Sequence, residues 1–328
     1  MISPKLENLG EWKMLWQHIL PALGRRTPLG DDCGWLELGD GKVLLISTDS
    51  LAEDSHYRKR WMSPEDLAVK ALRTALSDVA AMGGADRLAT VVALGVSKKT
   101  PVSHVEQFIH ALKTEARRLK CDILGGDMVE SQGKEFINVT VLGIAEKAKL
   151  LLRSQVRPGE TLWLTGPMGL SKAGLEALQA GLETDFSRLV LTHRRPPLLF
   201  REGTLLSTRN LSRAAMDTSD SLACSLLWLA RLSRLSLQVN LRQFPVPADL
   251  VRWARERRRP LADYILFGGE DYQILFSSGS SRRIMARHLP GAYPIGAALR
   301  GPFGVTVSDL DGREFMLSED SLGYQAFR

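Results

Sequence analysis

The sequence predicts an α/β chain of mixed α+β character, divided into two domains. Strand-like and helix-like segments alternate along it, and its 328 residues exceed the length at which one hydrophobic core usually stops growing. A charged, turn-like stretch over residues 146–155, followed by Pro158-Gly159, separates two series of such segments. These observations place the boundary near residue 148, giving domains 1–148 and 149–328. With 44% hydrophobic residues, both parts can bury substantial cores.

Near the N-terminus, Trp12, Leu15, Trp16, Ile19 and Leu20 have helical spacing, but Glu11, Lys13 and His18 interrupt it, so a globular helix rather than a signal peptide is expected. Residues 41–50 read as a strand whose end presents Ser47, Thr48 and Asp49. Ser63 as N-cap, Pro64 in the first turn and Glu65-Asp66 behind it start a helix. Leu67, Ala71, Leu72, Ala75 and Val79 lie on one of its faces, and Asp78 comes late on it. A strand over 87–96 and a helix over 103–120 follow. Cys121 to Leu124 is expected to be a short strand ending at Gly125-Gly126-Asp127, and 136–144 alternates as another strand.

The second half restarts with a strand over 161–164, a Gly166-Pro167-Met168-Gly169 turn and a helix from Ser171 to about Ala180. Such a strand, turn and helix could cradle phosphate through backbone N–H groups, although it lacks the Gly-Lys-Ser/Thr ending of a P-loop. An apolar helix over 222–232 and two apolar stretches flanking Gly268-Gly269-Glu270-Asp271-Tyr272 complete the series.

Composition narrows the class. Forty-three basic against 37 acidic residues give a net charge of +6, which modestly favours anionic ligands without identifying a nucleic-acid binder. The densest basic run, Arg252 to Arg259, reads as a solvated helix face, with a phosphate or partner surface as the alternative. Cys33, Cys121 and Cys224 are widely separated and form no CxxC pair, so a reducing, cytoplasmic setting is expected. No apolar run approaches the roughly 18 residues that would span a bilayer.

Five acidic islands carry the functional signal: Gly30-Asp31-Asp32, Ser47-Thr48-Asp49, Ser77-Asp78, Gly125-Gly126-Asp127 and Asp217-Thr218-Ser219-Asp220. Singly, each is an ordinary turn or cap. Gathered in one place, their carboxylates would repel unless divalent cations neutralised them, and Mg²⁺ held by carboxylates and phosphate oxygens is the usual case.

Together with His56, Leu76-Ser77-Asp78-Val79-Ala80-Ala81-Met82-Gly83 and the Gly-Gly-Glu-Asp-Tyr element at 268–272, these islands resemble the thiamine-monophosphate kinases. These kinases belong to the superfamily of aminoimidazole ribonucleotide synthetase, selenophosphate synthetase and a hydrogenase maturation factor. The resemblance runs from Gly30 to Tyr324. It implies a two-domain synthetase-like fold: an N-terminal mixed sheet with helices that dimerises, and a C-terminal α+β domain completing the nucleotide and substrate site. It implies an ATP- and Mg²⁺-dependent kinase that phosphorylates thiamine monophosphate to thiamine diphosphate.

Carried over by matching position, the resemblance implies that Asp32, Ser47, Thr48, Asp49, Asp78, Asp127, Asp217 and Asp220 hold several Mg²⁺ ions. Gly126, Asp127, Arg153 and Ser219 would contact the nucleotide, with Arg153 as a phosphate clamp. His56, Glu270 and Tyr324 would contact thiamine monophosphate. No certain catalytic acid or base is expected, because the acceptor is already a largely ionised phosphate oxygen. Ser221, Ala75 and Met128-Val129-Glu130 depart from the family pattern. Two alternatives stay open: an enzyme of the same fold with another small acceptor, and a non-catalytic sensor of nucleotide or thiamine phosphate.

Overall fold

The computed structural model describes residues 6–23 and 30–319. Two compact units emerge, each assembled from separate stretches of chain: 32–151 with 174–210, and 1–31 with 152–173 and 211–328. The chain passes between the units at Leu151 and Leu152, and segment 174–210 belongs with the five-stranded sheet rather than with the residues on either side of it.

The unit beginning at Asp32 is built on β1 (Gly34–Gly39), β2 (Lys42–Ala52), β3 (Arg87–Val96), β4 (Cys121–Glu130) and β5 (Phe136–Glu146), in the order β1-β2-β5-β3-β4. All neighbours are antiparallel except β3 and β4. Strand alternation turns Val43, Leu45 and Leu51 of β2 and Ile137, Val139 and Val141 of β5 into the core. Helix Pro64–Ala81 covers this face; Ser63 accepts from the Asp66 N–H at 3.1 Å as N-cap, and Pro64 fills the first turn. Helix Val102–Arg118 packs beside it, tied by Arg73 donating to Glu115 at 2.8 Å.

One expected strand end is corrected. Instead of stopping before Gly125-Gly126-Asp127, β4 continues to Glu130, because its parallel ladder with β3 resumes after a one-residue irregularity at Leu124. Gly126 makes that ladder possible: a Cβ there would sit 2.0 Å from the Val92 carbonyl oxygen.

The other unit carries β6 (Thr161–Leu164), β7 (Ala214–Asp217), β8 (Ser236–Asn240), β9 (Ile274–Ser278), β10 (Tyr293–Leu299), β11 (Gly304–Ser308) and β12 (Glu314–Met316). Their order is β12-β11-β8-β10-β6-β9-β7. Helix Leu222–Ser233 is apolar nearly all round, as a helix enclosed by its surroundings must be, and Leu222, Leu226 and Leu229 are fully buried. Against Trp228 of this helix pack Trp12 and Trp16, with ring centroids 5.4 and 4.7 Å away, so the N-terminal apolar residues join this core. On helix Ala248–Arg257 the basic run is a solvated face as expected: Trp253 is buried while Arg252 and Arg255 are exposed. Among the described residues, no helix is long and apolar enough to cross a membrane.

Candidate active site

In the five-stranded unit, Ser47 and Asp49 occupy the helix-facing side of β2, and Asp78 occupies the last turns of the covering helix. The Ser47 hydroxyl donates to the Asp78 carboxylate. Carboxylate oxygens of Asp32 and Asp78 lie within 4.8 Å of one another, both half-buried. Two carboxylates this close repel unless a cation or proton lies between them, and an all-oxygen donor set fits a hard ion such as Mg²⁺.

Thr48 points to the opposite face, where its hydroxyl meets that of Thr140 at 3.0 Å, so its side chain does not join Ser47 and Asp78. His56 follows β2; its Nδ1 accepts from the Ala52 N–H at 3.1 Å, which leaves the proton on Nε2. Gly126 and Asp127 lie on β4 opposite Val92 and Ala93, with Asp127 exposed. Of the departures, Ala75 is fully buried in the helix and the Met128 side chain is exposed on β4.

In the seven-stranded unit, two motifs far apart in sequence are zipped together. Asp217 ends β7 and is buried; Ser219 donates to its carboxylate at 3.0 Å, and Ser225 donates to its carbonyl at 2.9 Å. The Glu270 N–H donates to the Ser219 carbonyl at 2.5 Å and the Tyr272 N–H to the Thr218 carbonyl at 3.3 Å. Glu270 and Tyr272 adopt left-handed backbone conformations, with φ of 62° and 49°, a strain that concentrates at functional loops. Ser221 caps helix Leu222–Ser233 by accepting from the Cys224 N–H at 3.1 Å, in extended backbone that needs no glycine.

Two aspartates have structural roles that their sequence setting conceals. Asp271 accepts from the N–H groups of Gly169 and Ser171 at 2.5 and 2.9 Å, capping helix Leu170–Gln179. A carboxylate therefore occupies the helix N-terminus that the sequence suggests for phosphate, so Gly166 to Ser171 is not a phosphate cradle. Complete burial pushes the Asp271 carboxyl up to about 7, against the pull of the Ser171, Gly169 and Leu170 N–H groups. The sequence carries part of this signal, since Gly166-Pro167-Met168-Gly169 supplies no side-chain cap of its own and the helix needs one from elsewhere.

Asp31, the neighbour of Asp32, accepts from the Arg153 N–H at 2.8 Å. The Arg153 guanidinium donates to the Gly30 carbonyl at 3.0 Å and lies 5.0 Å from the Trp228 ring centroid. Arg153 thus holds the Gly30-Asp31 loop, and Tyr324 lies outside the described residues.

Residues 30–145 match the family model described as AIR synthase related protein, N-terminal domain. The thiamine-monophosphate kinase of Bacillus subtilis is 32% identical over 254 residues, 75% of each chain. That of Mycobacterium tuberculosis is 30% identical across 99% of this chain and 94% of its own length. The chain belongs to the thiamine-monophosphate kinase family. Among solved structures, AaThiL complexed with AMPPCP and TMP superposes with a TM-score of 0.85 at 28% identity, covering 97% of this chain and 100% of that one. The thiamine-monophosphate kinase of Aquifex aeolicus gives 0.82, also at 28%. Family membership makes this chain a kinase, and its α/β architecture with two sheets is that of the family.

Proposed function

We propose that this kinase transfers the γ-phosphoryl group of ATP to the phosphate of thiamine monophosphate, giving thiamine diphosphate and ADP. The observation that carries this reading is the near-complete superposition on a relative whose solved complex contains AMPPCP and TMP. The paired carboxylates of Asp32 and Asp78 support it, since they suit a phosphate-bound cation.

Asp32, Ser47, Asp49, Asp78 and Asp127 would supply oxygen ligands in one unit, and Asp217 and Asp220 in the other. Thr48 would contribute through its backbone carbonyl, since its hydroxyl is engaged with Thr140. When bound, Mg²⁺ would neutralise the phosphate oxygens and the charge that develops during transfer. Gly126 and Ser219 would approach the nucleotide through backbone and hydroxyl. By ordering Gly30-Asp31, Arg153 would place the adjacent Asp32, with its positive charge favouring phosphate nearby. His56, Glu270 and Tyr324 would orient the acceptor, His56 through Nε2–H. The acceptor oxygen is already ionised, so alignment and charge neutralisation suffice and no general base is needed.

Exposed apolar side chains on the outer strands, Leu36 and Leu38 of β1 and Leu124 and Met128 of β4, support a homodimer formed through this sheet. Three buried free cysteines suit a reducing compartment such as the cytoplasm.

The test is turnover by the purified protein with ATP and Mg²⁺, with and without thiamine monophosphate, following thiamine diphosphate directly. Acceptor-dependent diphosphate is expected. ATP binding without that product would assign the chain to another acceptor or to a sensor.

A further inference from the structure

A cavity of about 370 Å³ lies within the five-stranded unit. It opens beside the first turns of helices Pro64–Ala81 and Val102–Arg118, at the end of the first helix remote from Asp78. Leu67, Leu94, Val105, Phe108 and Ile137 give it apolar walls. The volume and lining are those of a small-molecule site, and neither His56 nor Glu270 contributes to it.

Tyr57 also lines the cavity and is 4% exposed. Among the described residues, its hydroxyl has no hydrogen-bond partner. Burial, with Glu135 and Glu53 nearby, raises its pKa well above the ordinary phenol value, so the group remains an O–H donor. A hydroxyl in the lining of the cavity can donate to an acceptor carried by a ligand.

The charges at the mouth identify the ligand's sign. Glu135 is neutralised by Lys59 at 2.7 Å and accepts from the Thr100 hydroxyl; Asp66 is neutralised by Arg195 at 2.5 Å. Arg194 is paired with Glu183 at 2.7 Å. Arg60 lies over the Trp61 ring, 4.8 Å from its centroid, and no carboxylate reaches ion-pair distance of it among the described residues. Lys59 also reaches Glu53 at 3.6 Å, so these pairs cancel and Arg60 is the lining cation left without a carboxylate among the described residues. A cationic heterocycle such as a thiazolium would meet the uncompensated charge of Arg60 here, so the cavity does not suit the acceptor of the proposed reaction.

We propose that this cavity is a second ligand site, taking a compact aromatic carboxylate whose ring fills the apolar interior and whose carboxylate accepts from the Tyr57 hydroxyl in the field of Arg60. The test is titration of the full-length protein with indole-3-acetate by calorimetry, beside the uncharged indole-3-acetamide. Saturable binding, with one site per chain, is expected for the carboxylate, and binding about tenfold weaker for the amide. Tyr57→Phe and Arg60→Gln should each weaken the carboxylate by about tenfold while leaving the melting temperature near its starting value.

Val105→Trp, at a half-buried wall position, should abolish binding and leave ATP turnover intact; Leu67→Trp serves the same purpose if that variant does not fold. Absence of saturable binding by indole-3-acetate, or binding unaffected by a folded cavity-filling variant, would overturn the proposal. Neither result bears on thiamine diphosphate formation, which is read separately.

Discussion

The N–H of Glu270 donates to the carbonyl of Ser219 at 2.5 Å, joining the Gly-Gly-Glu-Asp-Tyr loop to the last acidic island. Gly269 permits this approach, because a Cβ on it would lie 2.5 Å from the Asp220 carbonyl oxygen. The contact sets Glu270, Ser219 and Asp220 side by side although about fifty residues of chain separate them.

Gly269→Ala should therefore push the loop away from Asp220. Activity should fall by at least about tenfold, with a stability loss of about 1–2 kcal/mol. Steady-state kinetics beside thermal melts separate the two effects, and a fully active variant would mean that the close contact is dispensable.

Asp271→Ala removes the only side-chain cap described for helix Leu170–Gln179. It should destabilise the protein by about 2 kcal/mol, read as a lower denaturation midpoint. Asp271→Asn retains one acceptor oxygen and should lose less.

Asp49→Asn and Asp127→Asn each remove a proposed metal ligand outside the apolar core. Turnover should disappear or require far more Mg²⁺, while stability changes by less than about 0.5 kcal/mol. Mg²⁺ titration of activity together with melting curves checks this; a large loss of stability with Mg²⁺ dependence unchanged would argue for structural roles instead.

Tyr324→Ala should weaken thiamine monophosphate more than ATP, because stacking on an aromatic ring contributes on the order of 1 kcal/mol. The comparison is between the KM values of the two substrates. Equal increases would remove Tyr324 from the acceptor site.

Glu115 gives a pH prediction. Burial raises its pKa, but the Arg118 and Arg73 guanidinium groups overcome this and hold it down at about 2, from an ordinary 4.5. Since the folded value is depressed, its stabilisation is present above about pH 4.5 and is lost as pH falls toward 2. Glu115→Gln should cost about 2 kcal/mol at pH 7, and denaturant midpoints should show the difference shrinking across that acid window.

Local signals were legible where a few neighbouring residues suffice. Ser63-Pro64 starts its helix and β3 runs over Arg87–Val96 as its apolar pattern indicates. Gly125-Gly126-Asp127 reads as a strand end because glycines lack intrinsic strand preference, yet pairing with β3 carries the strand through them.

The adjacent aspartates of Gly30-Asp31-Asp32 show where sequence reading stops. Both belong to one acidic island, of which the resemblance assigns only Asp32 to metal; Asp31 accepts from the Arg153 N–H while Asp32 stands within 4.8 Å of Asp78. By itself the sequence determined the α/β class, the inventory of oxygen donors and the family, since these rest on periodicity and short motifs. Which aspartate caps a helix, which holds a loop and which faces another carboxylate was decided only by tertiary structure. A carboxylate's role depends on the N–H groups, cations and charges brought to it through space, and those partners lie on average too far along the chain for local pattern to name them.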